Sequence, residues 1–307
     1  MLPLTISIVT ANNKKLILDC LSSIYETTIG LEFEIYVVIN NSHDDSEEAI
    51  RENFPEVKLI KNQKMLGFTH NHNLVMRKGK GKYCLILNDD TIILDGALKK
   101  MIDFMEVSPD IGILGCKILN PDGSLQLSCG KSSTHKIEHI WAGVLRYLIP
   151  FLPKQHFAQP EEVCWVTGAC LLARAEAIRE VGVFDENIII YYEDADWCHR
   201  MVQAGWKVVF YPYAEIIHYL GKTREKHLFR DLNIAYQSRY YFFRKHYSIP
   251  TRMLVRFLTI VELMVRYLRC LVIYAFNREQ HQMMKESLKS YWVIFWRTLG
   301  IQRQTRQ

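Results

Sequence analysis

The sequence predicts an α/β fold with a mostly parallel central sheet, and two observations carry this prediction. Up to about residue 220, short runs rich in Val, Ile and Tyr alternate with amphipathic stretches. Alternating strands and helices form a mostly parallel sheet that helices cover on both faces. Polar residues directly follow several of the strand candidates, which is where ligands bind in such sheets.

The predicted elements alternate along the chain. Strands are expected at residues 4–10, 33–39, 57–60, 83–87, 111–117 and 207–211. Helices are expected at residues 13–26, 44–53, 69–78, 95–106, 174–181 and 194–204. The last helix has the clearest end signals, since Asp194 is a good N-cap residue and Gly205 a good residue to follow the last turn.

Composition describes a globular chain with a sizeable core. Of the 307 residues, 49% are hydrophobic and 23% are charged, which fits one large α/β domain with an appendage or two modest domains. The eight cysteines form no CxxC pair and several lie in apolar runs, so we expect buried thiols rather than disulfides or a zinc site. The N-terminus lacks a basic segment and reads as a strand, so no signal peptide is expected.

The region from residue 226 to residue 307 differs from the rest, because strand signals vanish and helical spacing takes over. Residues 251–307 hold ten lysines and arginines against three acids, a net charge of +7, whereas the whole chain carries +5. These charges recur too often for a membrane-spanning helix. A basic amphipathic helix in the membrane interface is predicted, and a helical subdomain or a dimer face is the alternative. Nucleic acid is not expected as a partner, since no recognition motif accompanies the basic residues.

An acidic run, Asn88-Asp89-Asp90, follows the apolar run at 83–87, so its side chains emerge at a strand end. Carboxylate and carbonyl oxygens are the ligands that Mg²⁺ or Mn²⁺ prefers, often together with diphosphate oxygens. The alternative is an ordinary turn, where Asn and Asp are common.

A second acidic cluster opens the helix predicted at 194–204, and His218 follows it at the end of a strand-like run. His218 is either a metal ligand or a structural histidine. Asp194 is either a helix cap or a general base, and the helix dipole would favour its charged form while Glu193 and Asp196 would oppose it.

Several motifs in order carry a resemblance to a known family. They are Ser7–Thr10 with Leu18–Ile24, Val37–Ser42, Asn62–Asn73, Leu87–Thr91, Asn120–Gln126 and Gly168–Trp197, with Pro212 and His218 in register. Over residues 4–221 the chain resembles family 2 inverting glycosyltransferases of the GT-A fold, in the branch that contains bacterial rhamnosyltransferases for surface polysaccharides. The resemblance implies a Rossmann-like GT-A domain at residues 1–225 and leaves residues 226–307 as a helical extension.

The family pattern assigns roles to individual residues of this chain. Asp90 and His218 match the metal ligands for Mg²⁺ or Mn²⁺, and Asp194 matches the base that deprotonates the acceptor hydroxyl. The donor would be bound by Thr10, Ala11, Asn12, Asn40, Asn41, Gly67, Phe68, Asn73, Asn88 and Asp89. The sugar or acceptor pocket would contain Trp165, Thr167, Gly168, Glu193 and Asp196.

The sequence departs from the family pattern at three places. Ile39 stands where many members carry Asp, so Asp44 is expected to supply that carboxylate to the donor. The metal-binding element begins with Asn88 rather than Asp. His70 and His72 stand where small residues are frequent, in a position to crowd or tune the donor pocket.

The leading hypothesis is therefore a metal-dependent inverting glycosyltransferase. It would use a dTDP- or UDP-linked sugar, rhamnose being one candidate, and a lipid-linked or cell-surface glycan acceptor. It would work in the cytoplasm at the inner face of the cell membrane, held by its C-terminal helices, and could form a homo-oligomer. A sugar-1-phosphate nucleotidyltransferase is the alternative enzyme, although residues 5–15 contain none of the glycine its triphosphate loop needs. A non-catalytic scaffold for glycan assembly is the third possibility.

Overall fold

The structure is a computed structural model that describes residues 2–131, 157–219, 228–276 and 281–298. These residues belong to two compact units. The first contains residues 2–131 and 157–219, and the second contains residues 228–276 and 281–298.

The first unit is built on one mixed sheet. Its strands are β1 (Leu4–Thr10), β2 (Phe33–Asn40), β3 (Lys58–Asn62), β4 (Tyr83–Asn88), β5 (Thr91–Ile93), β6 (Ile111–Leu119), β7 (Leu125–Gln126), β8 (Cys129–Lys131), β9 (Glu161–Val166), β10 (Cys170–Arg174) and β11 (Lys207–His218). They are ordered β3-β2-β1-β4-β10-β6-β11-β9-β8, with β5 beside β11 and β7 beside β6. The four strands from β3 to β4 are parallel. The predicted α/β class is confirmed, and β10 makes the sheet mixed because it runs antiparallel between β4 and β6.

In the residues that the structure describes, six helices accompany this sheet, close to the predicted positions. They are α1 (Lys14–Thr27), α2 (Ser46–Asn53), α3 (Phe68–Met76), α4 (Ala97–Glu106), α5 (Ala175–Val181) and α6 (Glu193–Gln203). Alternate residues of β4 join two different apolar clusters, Leu85 and Leu87 in one, Cys84 and Ile86 in the other. A strand buried on both faces explains why residues 83–87 read as a continuous apolar run.

The ends of α6 correct one prediction and confirm another. Tyr192, not Asp194, is the N-cap: it has a left-handed φ of 70° and its carbonyl accepts the Asp196 N–H at 2.9 Å. Asp194 therefore lies inside the first turn, and no side chain caps this end of the helix. At the other end, Gly205 has a φ of +93° and Trp206 N–H reaches the Met201 carbonyl, which is a Schellman ending.

All eight cysteines are buried and none forms a disulfide, as the sequence predicted. Burial raises the pKa of Cys20 and of Cys84 to about 12. These thiols are therefore inert packing groups in the folded chain.

The described part of the second unit contains three helices, α7 (Leu228–His246), α8 (Ile249–Phe276) and α9 (His281–Thr298). At its centre the buried carboxylate of Glu262 accepts hydrogen bonds from Arg239 at 2.8 Å, Arg266 at 2.9 Å and the Tyr236 hydroxyl at 2.9 Å. Among the described residues, no helix is both long enough and apolar enough to cross a bilayer.

Candidate active site

The polar segments predicted to share a site do meet at one edge of the sheet. β1 and β4 are parallel neighbours in which Val9 lies opposite Asn88, so the loops that follow both strands emerge side by side. His218 ends β11, where it lies opposite Thr91 of the short strand β5. The chain thus brings His218 next to the acidic run, although 130 residues separate it from Asn88.

Asp90 and His218 form the closest pair of charged or metal-binding groups at this edge. The Asp90 Oδ1 atom lies 3.1 Å from His218 Nε2, and both side chains are mostly buried. Asn88 Nδ2 lies 3.2 Å from the same ring nitrogen. The peptide N–H of Tyr219 donates to the Asp90 carbonyl at 2.9 Å, which fixes the backbone that carries the carboxylate.

This pair fits a divalent cation. Ligand atoms at adjacent corners of an octahedron with bonds of about 2.1 Å lie about 3.0 Å apart, close to the observed separation of 3.1 Å. Within the described residues, no cluster of three or more His, Cys, Asp or Glu side chains is positioned to hold a metal. Asp90 and His218 would be the ligands from the described residues, and Mg²⁺ sites commonly leave further positions to water and substrate phosphates.

Asp89 differs from Asp90 although it is the next residue. It is 8% exposed, and burial, with the charge of Asp90, raises its pKa to about 7. Its Oδ2 accepts a hydrogen bond of 3.1 Å from Asn13 Nδ2, at the start of α1. Asp89 therefore links the loop after β4 to the loop after β1 on the predicted nucleoside side.

Asp194 is held by main-chain donors at a partly exposed position. Gly168 N–H donates to its Oδ2 at 3.2 Å, and Ala195 N–H donates to its Oδ1 at 2.7 Å. The two residues before α6, Tyr191 and Tyr192, both have left-handed φ values, 65° and 70°. Each such residue costs roughly 1–2 kcal/mol, and strain of this kind concentrates at functional sites.

Two hydrogen bonds from main-chain N–H groups connect the strand end before Asp90 to Asp194. Asn88 N–H donates to the Ala169 carbonyl at 3.0 Å. The preceding residue, Gly168, donates its N–H to Asp194. The segment 168–169 thus bridges the loop that carries Asp90 and the helix that carries Asp194.

The two acids beside Asp194 have different environments. Glu193 is 6% exposed, and burial together with the charge of Asp194 raises its pKa well above its usual range, which favours the neutral form. Asp196 is fully buried and pairs with Arg200 at 2.9 Å, while Arg200 also donates to the Val181 and Val183 carbonyls. That arrangement favours a structural role for Asp196 over the expected role in the acceptor pocket.

The loops after β1 and β2 form the predicted nucleoside side. Thr10 is 1% exposed at the end of β1, and Ala11 follows it directly. Asn12 and Asn41 have left-handed φ values of 58° and 56°, and Asn12 Oδ1 accepts the His43 N–H at 2.7 Å. These contacts tie the two loops together at the end of the parallel strands.

Two predicted donor residues are occupied by internal hydrogen bonds. Asn40 donates to the Leu66 carbonyl at 3.0 Å and accepts the Leu66 N–H at 2.9 Å. Asp44 accepts the Lys14 N–H at 2.7 Å and the Ser46 hydroxyl; these hydrogen bonds outweigh the effect of burial and lower its pKa. Asp44 therefore joins the starts of α1 and α2, which argues against its replacing the carboxylate absent at Ile39.

The side-chain amide of Asn73 is likewise taken up by hydrogen bonds within the protein. It is completely buried, donates to the Phe184 carbonyl at 3.0 Å and to Glu186 at 2.9 Å, and accepts the Phe184 N–H at 3.0 Å. It clamps α3 to the segment before Asp194 rather than facing a ligand. His72, one of the two unusual histidines, is likewise buried and shares a hydrogen bond of 2.7 Å with the Ser7 hydroxyl.

The predicted acceptor side is tightly built around Gly168. A Cβ on this residue would lie 3.3 Å from the Phe68 ring and 3.9 Å from Glu193 Oε1, so Phe68, Gly168 and Glu193 are neighbours. Gly67 approaches Ile189 even more closely, since a Cβ there would lie 2.8 Å from its side chain.

Trp165 and Thr167 complete the expected acceptor residues. Thr167 donates its peptide N–H to the Ser128 carbonyl at 2.9 Å. The indole N–H of Trp165 is buried and has no partner among the described residues. An unpaired buried donor is a suitable contact for a sugar hydroxyl.

Comparison with known proteins identifies the family of this chain. Residues 3–235 match the family described as "Glycosyltransferase like family 2". The chain belongs to this family. It is a glycosyltransferase, and neither a nucleotidyltransferase nor a non-catalytic scaffold.

Curated relatives of this glycosyltransferase include two bacterial rhamnosyltransferases. It is 28% identical to N-acetylglucosaminyl-diphospho-decaprenol L-rhamnosyltransferase of Mycobacterium tuberculosis over 230 residues, which cover 68% of this chain and 74% of the relative. It is 26% identical to rhamnosyltransferase WbbL of Escherichia coli over 164 residues, which cover 50% of this chain and 61% of that protein.

Solved structures confirm the GT-A fold of the glycosyltransferase. The mannosyltransferase PcManGT of Pyrobaculum calidifontis, in complex with GDP-Man and Mn²⁺, superposes with a TM-score of 0.53 at 14% identity, covering 95% of this chain and 86% of that one. GalNAc-T7 with UDP, GalNAc and Mn²⁺ superposes with a TM-score of 0.55 at 16% identity, covering 71% of this chain and 44% of that one.

The sequence did not predict every residue that builds the site. Gln126 contacts the His218 ring at 2.7 Å, Asn120 holds Gln126 at 2.9 Å, and Asn13 contacts Asp89. The segment 120–126 stood out as a motif, but the chain offered no sign of what its side chains touch.

Proposed function

We propose that this glycosyltransferase moves a sugar from a nucleoside diphosphate sugar to a hydroxyl of a glycan acceptor with inversion of the anomeric carbon. One observation carries the proposal: the bridge at residues 168–169 joins the strand end before Asp90 to Asp194 at a single sheet edge. A pair of cation ligands beside a partly exposed carboxylate suits direct displacement. The bound cation would stabilise the leaving group, and the carboxylate would accept the proton of the attacking hydroxyl.

Each end has a defined task. Asp194, oriented by two main-chain N–H groups, accepts the proton of the attacking hydroxyl. Asp90 and His218 hold Mg²⁺ or Mn²⁺. When bound, that ion would neutralise charge on the departing diphosphate. Glu193, whose neutral form is favoured, leaves Asp194 as the basic carboxylate of the pair.

The names of the relatives support a proposal for the substrate class. Two of them are named as rhamnosyltransferases, and one name specifies a diphospho-decaprenol acceptor. We therefore assign a deoxyhexose such as rhamnose, on a dTDP or UDP carrier, as the donor sugar. A lipid-linked or growing cell-surface glycan is the matching acceptor.

The three-helix unit supports attachment to a membrane surface. The polar residues Thr251, Thr259 and Glu262 of α8 are buried, and the outward side of the same helix is apolar. Eight exposed apolar residues lie on this side, and they are Ile249, Met253, Leu254, Phe257, Met264, Leu268, Leu271 and Val272. Ile273, Tyr274 and Phe276 are exposed on other sides of the last two turns. The spacing of these eight places them along one stripe of the helix, so α8 presents an apolar stripe on its outward side while three polar residues are buried.

Basic and aromatic side chains flank this stripe. Arg252 and Arg269 are exposed on α8. Lys285 and Lys289 of α9 line a shallow groove together with the aromatic residues Tyr267, Tyr274 and Trp292. Lysines beside Tyr and Trp rings are typical of the headgroup region, and anionic lipids of the cytoplasmic leaflet attract such charges. We therefore place the enzyme at the inner face of the cell membrane.

The catalytic proposal is tested with two variants and a panel of nucleotide sugars. A cognate donor raises the melting temperature only when Mn²⁺ is present, because a ligand bound to the native state stabilises it. Asp194→Asn keeps this Mn²⁺-dependent shift and loses transfer, whereas Asp90→Ala loses the shift. Normal turnover by Asp194→Asn would remove Asp194 from the role of base, and a donor shift that resists a chelator would refute the metal proposal.

Membrane attachment is tested by flotation with anionic and neutral vesicles. The full chain is expected to float with anionic vesicles, and Phe257→Glu with Leu268→Glu is expected to abolish this. Val107→Glu is the matched control, since Val107 is a 78% exposed apolar residue of the first unit. Failure of the full chain to float, or flotation unaffected by the two α8 changes, would refute the proposal; a dimer that those changes break would favour an oligomer face instead.

A further inference from the structure

A tight hairpin in the first unit contacts the predicted metal ligand His218 on the Nδ1 side of its ring. Residues 120–126 connect β6 to β7, with Gly123 at a left-handed φ of 78°. The Gly123 N–H donates to the Asn120 carbonyl at 2.9 Å, and the Asn120 N–H donates to the Ser124 carbonyl at 2.8 Å. The turn returns the chain so that Gln126 pairs with Ile118 of β6 and lies beside the end of β11.

Two acceptors fix the orientation of the Gln126 amide. Its Nε2 donates to Asn120 Oδ1 at 2.9 Å and faces the His218 main-chain carbonyl at 3.4 Å. A carbonyl oxygen can only accept, so a reversed amide would place Gln126 Oε1 against the His218 carbonyl. Asn120 Nδ2 in turn donates to the Ser124 hydroxyl at 2.8 Å, which connects both amides to the turn.

This orientation determines which nitrogen of His218 carries a hydrogen. The Gln126 Oε1 atom faces His218 Nδ1 at 2.7 Å, and an amide oxygen requires a donor there. In the neutral ring, Nδ1 is therefore protonated and Nε2 presents its lone pair. That lone pair faces Asp90 Oδ1 at 3.1 Å and the Asn88 Nδ2 donor at 3.2 Å, so a cation between Nε2 and Oδ1 would take the place of the Asn88 hydrogen bond.

We propose that Gln126, held by Asn120, is a positioning residue that fixes His218 in the Nδ1–H tautomer and so reserves Nε2 for the divalent cation. The inference rests on the proposed metal role of Asp90 and His218. Histidine ligands usually donate their second N–H to an acceptor behind them, and loss of that acceptor costs roughly 10- to 100-fold in metal affinity. Gln126 is 9% exposed, so water does not readily replace it.

Two substitutions distinguish the contribution of the Gln126 hydrogen-bond acceptor from that of its side-chain volume. Gln126→Met keeps a similar volume and removes the acceptor, whereas Gln126→Glu keeps an acceptor opposite Nδ1. Ser128→Ala is the matched control, because the Ser128 hydroxyl donates to the Cys116 carbonyl at 3.3 Å in the same region and that bond does not involve His218.

The first measurement needs no metal. Long-range ¹H–¹⁵N correlation at alkaline pH, where imidazoles are neutral, reports which ring nitrogen is protonated, and His218→Asn assigns the signals. The wild type, Gln126→Glu and Ser128→Ala are expected to show the Nδ1–H tautomer, and Gln126→Met a shift towards Nε2–H. An Nε2–H tautomer in the wild type, or an unchanged tautomer in Gln126→Met, would overturn the proposal.

The second measurement is Mn²⁺ affinity in the presence of UDP or dTDP, from the electron paramagnetic resonance signal of free Mn²⁺. Gln126→Met is expected to bind Mn²⁺ roughly 10- to 100-fold more weakly, while Gln126→Glu and Ser128→Ala stay near or above the wild type. Unchanged affinity in Gln126→Met would overturn the proposal. A tautomer shift in Gln126→Met with no Mn²⁺ binding even by the wild type would support the positioning of His218 and refute the metal role.

Discussion

Asn73 offers a sharp test, because its family-based role and its structural environment predict different results. The resemblance places Asn73 beneath the donor, whereas in the structure its side-chain amide forms three hydrogen bonds to Phe184 and Glu186. In Asn73→Ala these bonds are lost, at about 1 kcal/mol each, and the buried Phe184 N–H and carbonyl are left without a partner. We expect the free energy of unfolding to fall by about 2–4 kcal/mol.

The assay is urea unfolding followed by tryptophan fluorescence, together with calorimetric titration of the nucleoside diphosphate and Mn²⁺. Asn53→Ala is the control: Asn53 makes one hydrogen bond, to the Ala49 carbonyl at 2.8 Å, at the exposed end of α2. It should cost no more than about 1 kcal/mol. A large loss of nucleotide affinity in Asn73→Ala with unchanged stability would refute the structural reading and restore Asn73 to the donor site.

Two further predictions concern a buried histidine and a buried carboxylate. Burial lowers the pKa of His72 to about 3. Below about pH 6.5 the histidine is therefore protonated in the unfolded chain but neutral in the folded chain. The free energy of unfolding then falls as pH decreases, by up to about 1.4 kcal/mol per pH unit. His72→Asn should flatten that fall in urea titrations from pH 7 to pH 4, and an identical slope would contradict the burial argument. Glu262→Ala removes the carboxylate that accepts hydrogen bonds from Arg239 and Arg266 and should destabilise the three-helix unit by about 3–5 kcal/mol, measured in thermal unfolding by circular dichroism. A loss of stability below about 1 kcal/mol would mean that water reaches these arginines.

The main elements could be read from the sequence because their periodicity is local. Burial on both faces makes β4 a continuous apolar run, and α6 carries its own C-terminal glycine. Strands β5, β7 and β8 escaped prediction because they are two or three residues long, too short to show a period. β9 and β10 were not predicted, although they have an ordinary strand length. The antiparallel insertion of β10 depends on its pairing with β4 and β6, which are distant in the sequence.

The site was predictable where a residue's neighbours in the sequence are also its neighbours in space. Asn88, Asp89 and Asp90 lie at a strand end for that reason. The partners of Asn73 and Asp196 could not be predicted. Asn73 bonds to a residue 111 positions away, and Asp196 bonds to Arg200 one helical turn later. In the sequence both look like any other polar residue. The N-cap prediction for Asp194 failed because a left-handed tyrosine can begin a helix where a polar residue is the usual choice.

The buried thiols give this enzyme a set of built-in reporters. Seven of the eight cysteines lie in the α/β unit, and Cys270 lies on α8 in the helical unit. Because the folded chain shields each one, a thiol reagent modifies a given cysteine only when the segment around it opens. The rate of modification at Cys270 relative to Cys20 or Cys84 therefore compares the opening of the two units within one intact chain. Adding vesicles or a nucleotide should slow the reaction selectively in whichever unit binds it.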